Sequence, residues 1–118
     1  MCQYSAENGN PSKWHYGHLQ NLALTGAGML MFECTAVNLQ GRITFNDLTL
    51  CNKNNENSLK ATVNYLRSFS KIPLGLQISH AGRKGSAHVP WVRHNASLKP
   101  YENAWETVAP SSIERAED

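Results

Sequence analysis

The chain has 118 residues, of which 41% are hydrophobic and 17% charged, and its net charge is +2. That length fits one small domain, the charge is too slight and too scattered for an electrostatic case for nucleic acid, and no apolar run approaches the ~20 residues that a bilayer span requires. The opening Met1-Cys2-Gln3-Tyr4-Ser5 lacks the charged and apolar regions of a signal peptide, so a cytoplasmic location is the expectation.

Polar, turn-forming residues from Glu7 to Pro11 lead to Ser12, which suits a helix N-cap. A helix is expected from about Lys13 to Leu24. Its apolar face would be Trp14, His18 and Leu22, with Leu19 and Ala23 one turn offset. Gly26-Ala27-Gly28 ends it in a tight turn. Met29–Phe32 then reads as a strand apolar on both faces, as a buried parallel strand should be, with Glu33-Cys34-Thr35-Ala36-Val37 following it. Residues 38–57 read as a long polar connection, and a second helix is expected at about Asn57 to Ser70, with Leu59, Val63, Leu66 and Phe69 or Ser70 as its stripe. Ile72–Ile78 is the next strand. Residues 29–78 therefore form one βαβ unit with parallel strands.

Residues 80–118 differ: glycines and prolines recur and no apolar period is sustained, which marks a long functional loop or a missing context. Two parallel strands do not make a stable sheet. Short αβ turns and long βα loops match the opening of a (β/α)₈ barrel, which takes about 250 residues in full. The fold class expected is α/β, a partial barrel of N-terminal strands and helices only.

The strand ending in Gln77-Ile78-Ser79-His80-Ala81-Gly82-Arg83-Lys84 reads as the mouth of a site, because ligands gather at the carboxyl ends of strands in α/β folds. The Gln77 carboxamide both donates and accepts, as the pyrimidine edge of a flavin asks, or it bonds only neighbouring backbone. His80 and Arg83 flank a glycine turn. Arg83 is expected to clamp a carboxylate such as Glu33 rather than to bind ligand. Cys2, Cys34 and Cys51 have no paired spacing and an odd count, so free thiols are expected. Cys34 reads as packing or ligand-lining and Cys51 as bland. His15 and His18 lie three apart on the first helix. Helix packing is the better reading, with a small metal-binding module as a weaker one and no metal ligands assigned. Trp91, Tyr101 and Trp105 line a pocket or anchor the loop. Asn95-Ala96-Ser97 fits the glycosylation pattern, which means little without a secretory signal. No nucleotide-binding glycine fingerprint or P-loop is present.

Taken together, four blocks resemble the old yellow enzyme family: Met1 to Ser5, Gly26 to Leu30, Glu33 to Val37 with Gln40-Gly41-Arg42-Ile43, and Gln77 to Lys84. The nearest resemblance is to the branch similar to YqjM and the xenobiotic reductases, also called NADH:flavin oxidoreductases; Ala109-Pro110-Ser111-Ser112-Ile113 is similar to that branch's segment after its third strand. The resemblance covers the chain in the right order. It implies an FMN-dependent ene-reductase, in which NADH or NADPH reduces the flavin and hydride passes to the β-carbon of an activated alkene. It assigns Met1, Cys2, Cys34 and Gln77 to cofactor binding and Tyr4 to the substrate pocket. Cys34 departs from the alanine or glycine usual there, and His80 and Arg83 stay structural. It also implies that a first strand precedes Met1. The substrate histidine pair, the proton-donating tyrosine and the phosphate site would lie beyond Asp118, so no catalytic residue is expected within this chain. Residues 1–118 thus read as the N-terminal part of a single FMN-binding barrel, inactive alone. The alternative is a non-catalytic remnant or a partner-binding fragment. Full-length relatives are expected to be homo-oligomers.

Overall fold

The computed structural model describes residues 1–94 and 96–116. Asn95 of the Asn95-Ala96-Ser97 pattern and the closing Glu117-Asp118 lie outside the described residues.

The first helix, α1, is Lys13–Ala23, with Ser12 as N-cap. The Ser12 backbone N–H donates to His15 Nδ1 at 3.0 Å. The buried face is His15, Leu19 and Ala23, while Trp14 is 57% and Leu22 37% exposed. This corrects the expected stripe, which rotates by one position toward His15. A polar residue scores against burial in any apolar periodicity, yet a buried histidine is tolerated when both ring nitrogens are paired.

Strand β1, Leu30–Ala36, runs four residues past the end expected from its apolar run. Strand β2, Leu48–Thr49, lies inside what read as a polar connection. Helix α2, Lys53–Arg67, begins four residues earlier than expected, because the asparagine run supplies its start. The Asn52 side chain caps it by accepting from the Asn55 backbone N–H at 2.9 Å. Strand β3 is Leu74–Ser79. The sheet order is β2-β1-β3, with both pairings parallel.

Leu19 and Ala23 of α1, Leu30 and Phe32 of β1, Leu66 of α2 and Ile72 form the core. Leu59 and Val63 pack against it as the helical stripe predicts, whereas Phe69 is exposed. Beyond β3 the described residues hold two 3₁₀ turns, Gly82–Lys84 and Pro100–Glu102, and one isolated bridge, Ala87 to Ser97. Trp105 anchors this region. Its indole N–H donates to the Gln40 carbonyl at 3.2 Å, its ring lies 5.0 Å from that of Phe45, and the Arg42 guanidinium sits 4.9 Å over it. Tyr101 is 82% exposed and anchors nothing comparable. Among the described residues, no helix is long and apolar enough to cross a membrane.

Candidate functional site at the strand ends

The register of β1 against β3 slips between Phe32 and Cys34: Phe32 pairs with Leu76, and Cys34 with Gln77. Glu33 is the extra residue. Side chains alternate along a strand, so without the slip Cys34 would share the face of the core residue Phe32. With it, Cys34 joins Met31, Gly75 and Gln77 on the face away from the helices. That open face is apolar below its polar rim, with Met31 half exposed.

The bulge also fixes Glu33. Its carboxylate accepts from His15 Nε2 at 2.5 Å and from the Gln3 backbone N–H. The His15 and Glu33 side chains are only 1% and 7% exposed. Since His15 Nδ1 accepts from Ser12 N–H, the ring proton lies on Nε2 and points at the carboxylate. One carboxylate thereby ties α1, β1 and the N-terminal segment together. Arg83 does not clamp it, which corrects the expectation: Glu33 is already satisfied by His15 and Gln3, and Arg83 Nη2 donates to Ser111 Oγ at 2.8 Å. His80 Nδ1 accepts from the Gly82 N–H at 3.1 Å and so shapes its own turn.

Held in this way, the N-terminal segment reaches the strand ends. The Met1 carbonyl accepts from Cys34 N–H at 3.3 Å, and the Met1 amine lies 3.0 Å from Gln77 Oε1. Cys34 Sγ lies 3.9 Å from the Met1 amine, on the segment that carries Cys2. Burial pushes the Cys2 thiol up, and the charges of Asp47, Cys34 and Glu33 push it further. Met1, Cys2, Cys34 and Gln77 therefore come together at one end of the sheet. Met1 and Gln77 share a cavity of about 230 Å³ whose wall includes Gln3, His15, Met31 and Glu33.

Tyr4 stands apart from these four. It lines a second hollow with Ile43, Lys84, His88 and His94, and its ring packs edge-on to Trp91 at 6.1 Å. Its φ of +50° is left-handed, a conformation rare for an aromatic residue. Burial, then the nearby Cys2, raises the Tyr4 hydroxyl above its ordinary value.

Two buried residues that support the site carried no motif. Asp47, 3% exposed, accepts from Ile43 N–H at 2.6 Å, Thr44 N–H at 3.2 Å and Thr44 Oγ1 at 2.8 Å. Burial raises its carboxyl, and those hydrogen bonds pull the other way. The Thr44–Asp47 spacing is the one sequence signal of this side-chain-capped turn. Asn55 accepts from Thr49 Oγ1 at 2.9 Å and donates to Asn10 Oδ1 at 2.8 Å, pinning the loop before α1 to α2 and β2. Cys51 donates to Asn55 Oδ1 at 3.3 Å and accepts from Asn52 Nδ2 at 3.7 Å.

The donor set fits the pyrimidine edge of a flavin. An exposed carboxamide that both donates and accepts stands at the rim of an open apolar sheet face, beside two thiols.

Comparison with known proteins gives the same direction. The chain is 40% identical over 115 residues to an NADH:flavin oxidoreductase of Gibberella zeae, covering 96% of this chain and 28% of that protein. It is 32% identical over 120 aligned positions to an NADPH dehydrogenase of Bacillus cytotoxicus, covering 100% of this chain and 34% of the relative. Over 86 residues it is 41% identical to an NADPH dehydrogenase of Listeria welshimeri, with 71% of this chain and 25% of the relative covered. The chain thus spans between a quarter and about a third of the length of these relatives. No family model matches it.

Proposed function

We propose that this chain is the N-terminal part of an FMN-dependent NAD(P)H oxidoreductase of the old yellow enzyme family, in the branch similar to YqjM and the xenobiotic reductases. The whole protein would be a (β/α)₈ barrel acting on an activated alkene such as an enone. The observation that carries the reading is the convergence of Met1, Cys2, Cys34 and Gln77 at one end of a parallel sheet. The names of the relatives support a flavin and a nicotinamide reductant. The outer edge of β3 supports the barrel: in the order β2-β1-β3 it is free to add the next strand.

In this reading Gln77 hydrogen-bonds the flavin pyrimidine and sets the ring's orientation on the sheet face. The Cys2 thiol stays protonated beside the ring and changes its polarity. Tyr4 closes one side of the substrate pocket. Bound FMN supplies the hydride transfer between nicotinamide and alkene. The groups that protonate the product and hold the flavin phosphate come from the rest of the barrel, so residues 1–118 alone do not turn over.

Joining this chain to the C-terminal remainder of the Gibberella zeae relative tests the proposal. The joined protein should purify with bound flavin and oxidise NADPH or NADH. Gln77→Leu should weaken flavin binding about tenfold, the equivalent of one hydrogen bond of ~1–1.5 kcal/mol. A joined protein that is folded by circular dichroism yet retains no flavin refutes the assignment. Stoichiometric FMN retention and NADPH oxidation by residues 1–118 alone would refute the claim that the fragment is inactive.

A further inference from the structure

We propose that Cys2 and Cys34 are a redox-active dithiol, which a hydroperoxide closes to a disulfide that staples the N-terminal segment to β1. The two sulfurs come from chain positions 32 residues apart and meet because of two separate features. The bulge at Glu33 brings Cys34 to the open face of the sheet. The Cys34 N–H to Met1 carbonyl bond, 3.3 Å, then lays the Met1–Cys2 peptide alongside it. Cys34 Sγ lies 3.9 Å from the Met1 amine, next to Cys2 in the chain, and both cysteines are only half-buried, so a small peroxide reaches them. Backbones held side by side are what disulfide geometry requires. Cys51 is excluded from the pair, since its thiol is committed to Asn55 on the start of α2.

The order of events follows from the surroundings. Cys34 stands on the open face of the sheet, where a peroxide meets it first, so it is the attacking sulfur. Its thiolate attacks a peroxide oxygen, the O–O bond breaks, and a sulfenic acid forms on Cys34 with release of the alcohol or water. The Cys2 sulfur then attacks the Cys34 sulfur. The S–O bond breaks, and the departing hydroxide leaves as water with the Cys2 proton. Two thiols lose two electrons and one hydroperoxide gains them. The staple needs no flavin, so it stands or falls apart from the function proposed above.

Hydrogen peroxide is the probe. Purified chain is treated with it, and the product is read by intact mass and by peptide mapping without reductant. The expected product has lost two hydrogens and carries a Cys2–Cys34 crosslink, and it forms at least about tenfold faster in the folded chain than in guanidinium, because the fold supplies the effective concentration. Cys51→Ser should form the same link, and Cys34→Ala should form none. Three outcomes overturn the proposal: a crosslink through Cys51, over-oxidation of Cys34 while Cys2 stays free, or equal rates in the folded and denatured chain.

Discussion

Replacing Glu33 by alanine should destabilise the fold more than any other polar truncation near the strand ends. Its carboxylate serves two buried donors, His15 Nε2–H and the Gln3 backbone N–H, in a site where the His15 and Glu33 side chains are 1% and 7% exposed. Hydrogen bonds to a charged group contribute roughly 1.5–3 kcal/mol each, so two lost bonds amount to ~3–6 kcal/mol. Water entering the space left by the side chain recovers part of this, and about 3 kcal/mol is the expected loss. Against a total stability of ~5–15 kcal/mol that is a large fraction. Glu33→Gln keeps one acceptor oxygen but turns an NH₂ toward the second donor, so it should cost about half as much. Urea unfolding followed by circular dichroism measures both. A Glu33→Ala loss under about 0.5 kcal/mol, or Glu33→Gln as damaging as Glu33→Ala, would refute the two-donor account, because surface substitutions commonly fall in that small range.

Leu66→Ala, at a side chain with 0% exposure in the centre of the core, should cost ~2–5 kcal/mol in the same assay. Gly41→Ala should cost ~1–3 kcal/mol by overpacking: an added Cβ would stand 2.9 Å from the His80 ring and 3.0 Å from Asn38 Oδ1. Asp47 carries a pH prediction. Its folded pKa lies above the ordinary 3.8, so the folded state binds the proton more tightly than the unfolded chain. Its contribution is therefore fully present below pH 3.8 and is lost as pH rises through the raised folded value. Asp47→Asn should abolish that segment of the stability–pH curve, as read by thermal melts across pH. Iodoacetamide should alkylate Cys2 more than tenfold faster in urea than in the native chain, since burial keeps the native thiol protonated; mass spectrometry of the Met1-containing peptide reads the ratio.

Local rules carried a good part of this structure. Ser12 caps α1 where a serine ahead of an amphipathic run should, Gly26 turns with φ +77° after it, and Leu59, Val63 and Leu66 face the core at helical spacing. The parallel pairing of β1 with β3 follows from strand–helix–strand order. Each of these depends on residues within a few positions of one another, or on a connection long enough to cross the sheet, so each is written in the order of residue types. Gln77 and Cys34 read as polar groups closing an apolar run, and both lie inside their strands, which continue to Ser79 and Ala36.

What the order of residues could not show are contacts between distant segments. His15 read as a packing residue but stood outside the expected apolar stripe; it is fully buried because Ser12 and Glu33 satisfy both ring nitrogens. Asn52 and Asn55 read as loop, and only their partners turn one into a cap and the other into a buried pin. The bulge at Glu33 leaves no mark in the apolar pattern, yet it decides which face receives Cys34 and which helix receives the carboxylate. A one-residue slip reverses every later side chain on a strand, and the slip is set by hydrogen bonds to β3 and to the N-terminal segment rather than by β1 itself. The sequence alone therefore determined the two helices, the two longer strands and their direction, and the tertiary pairing decided the short strand β2 and which side chains meet near the strand ends.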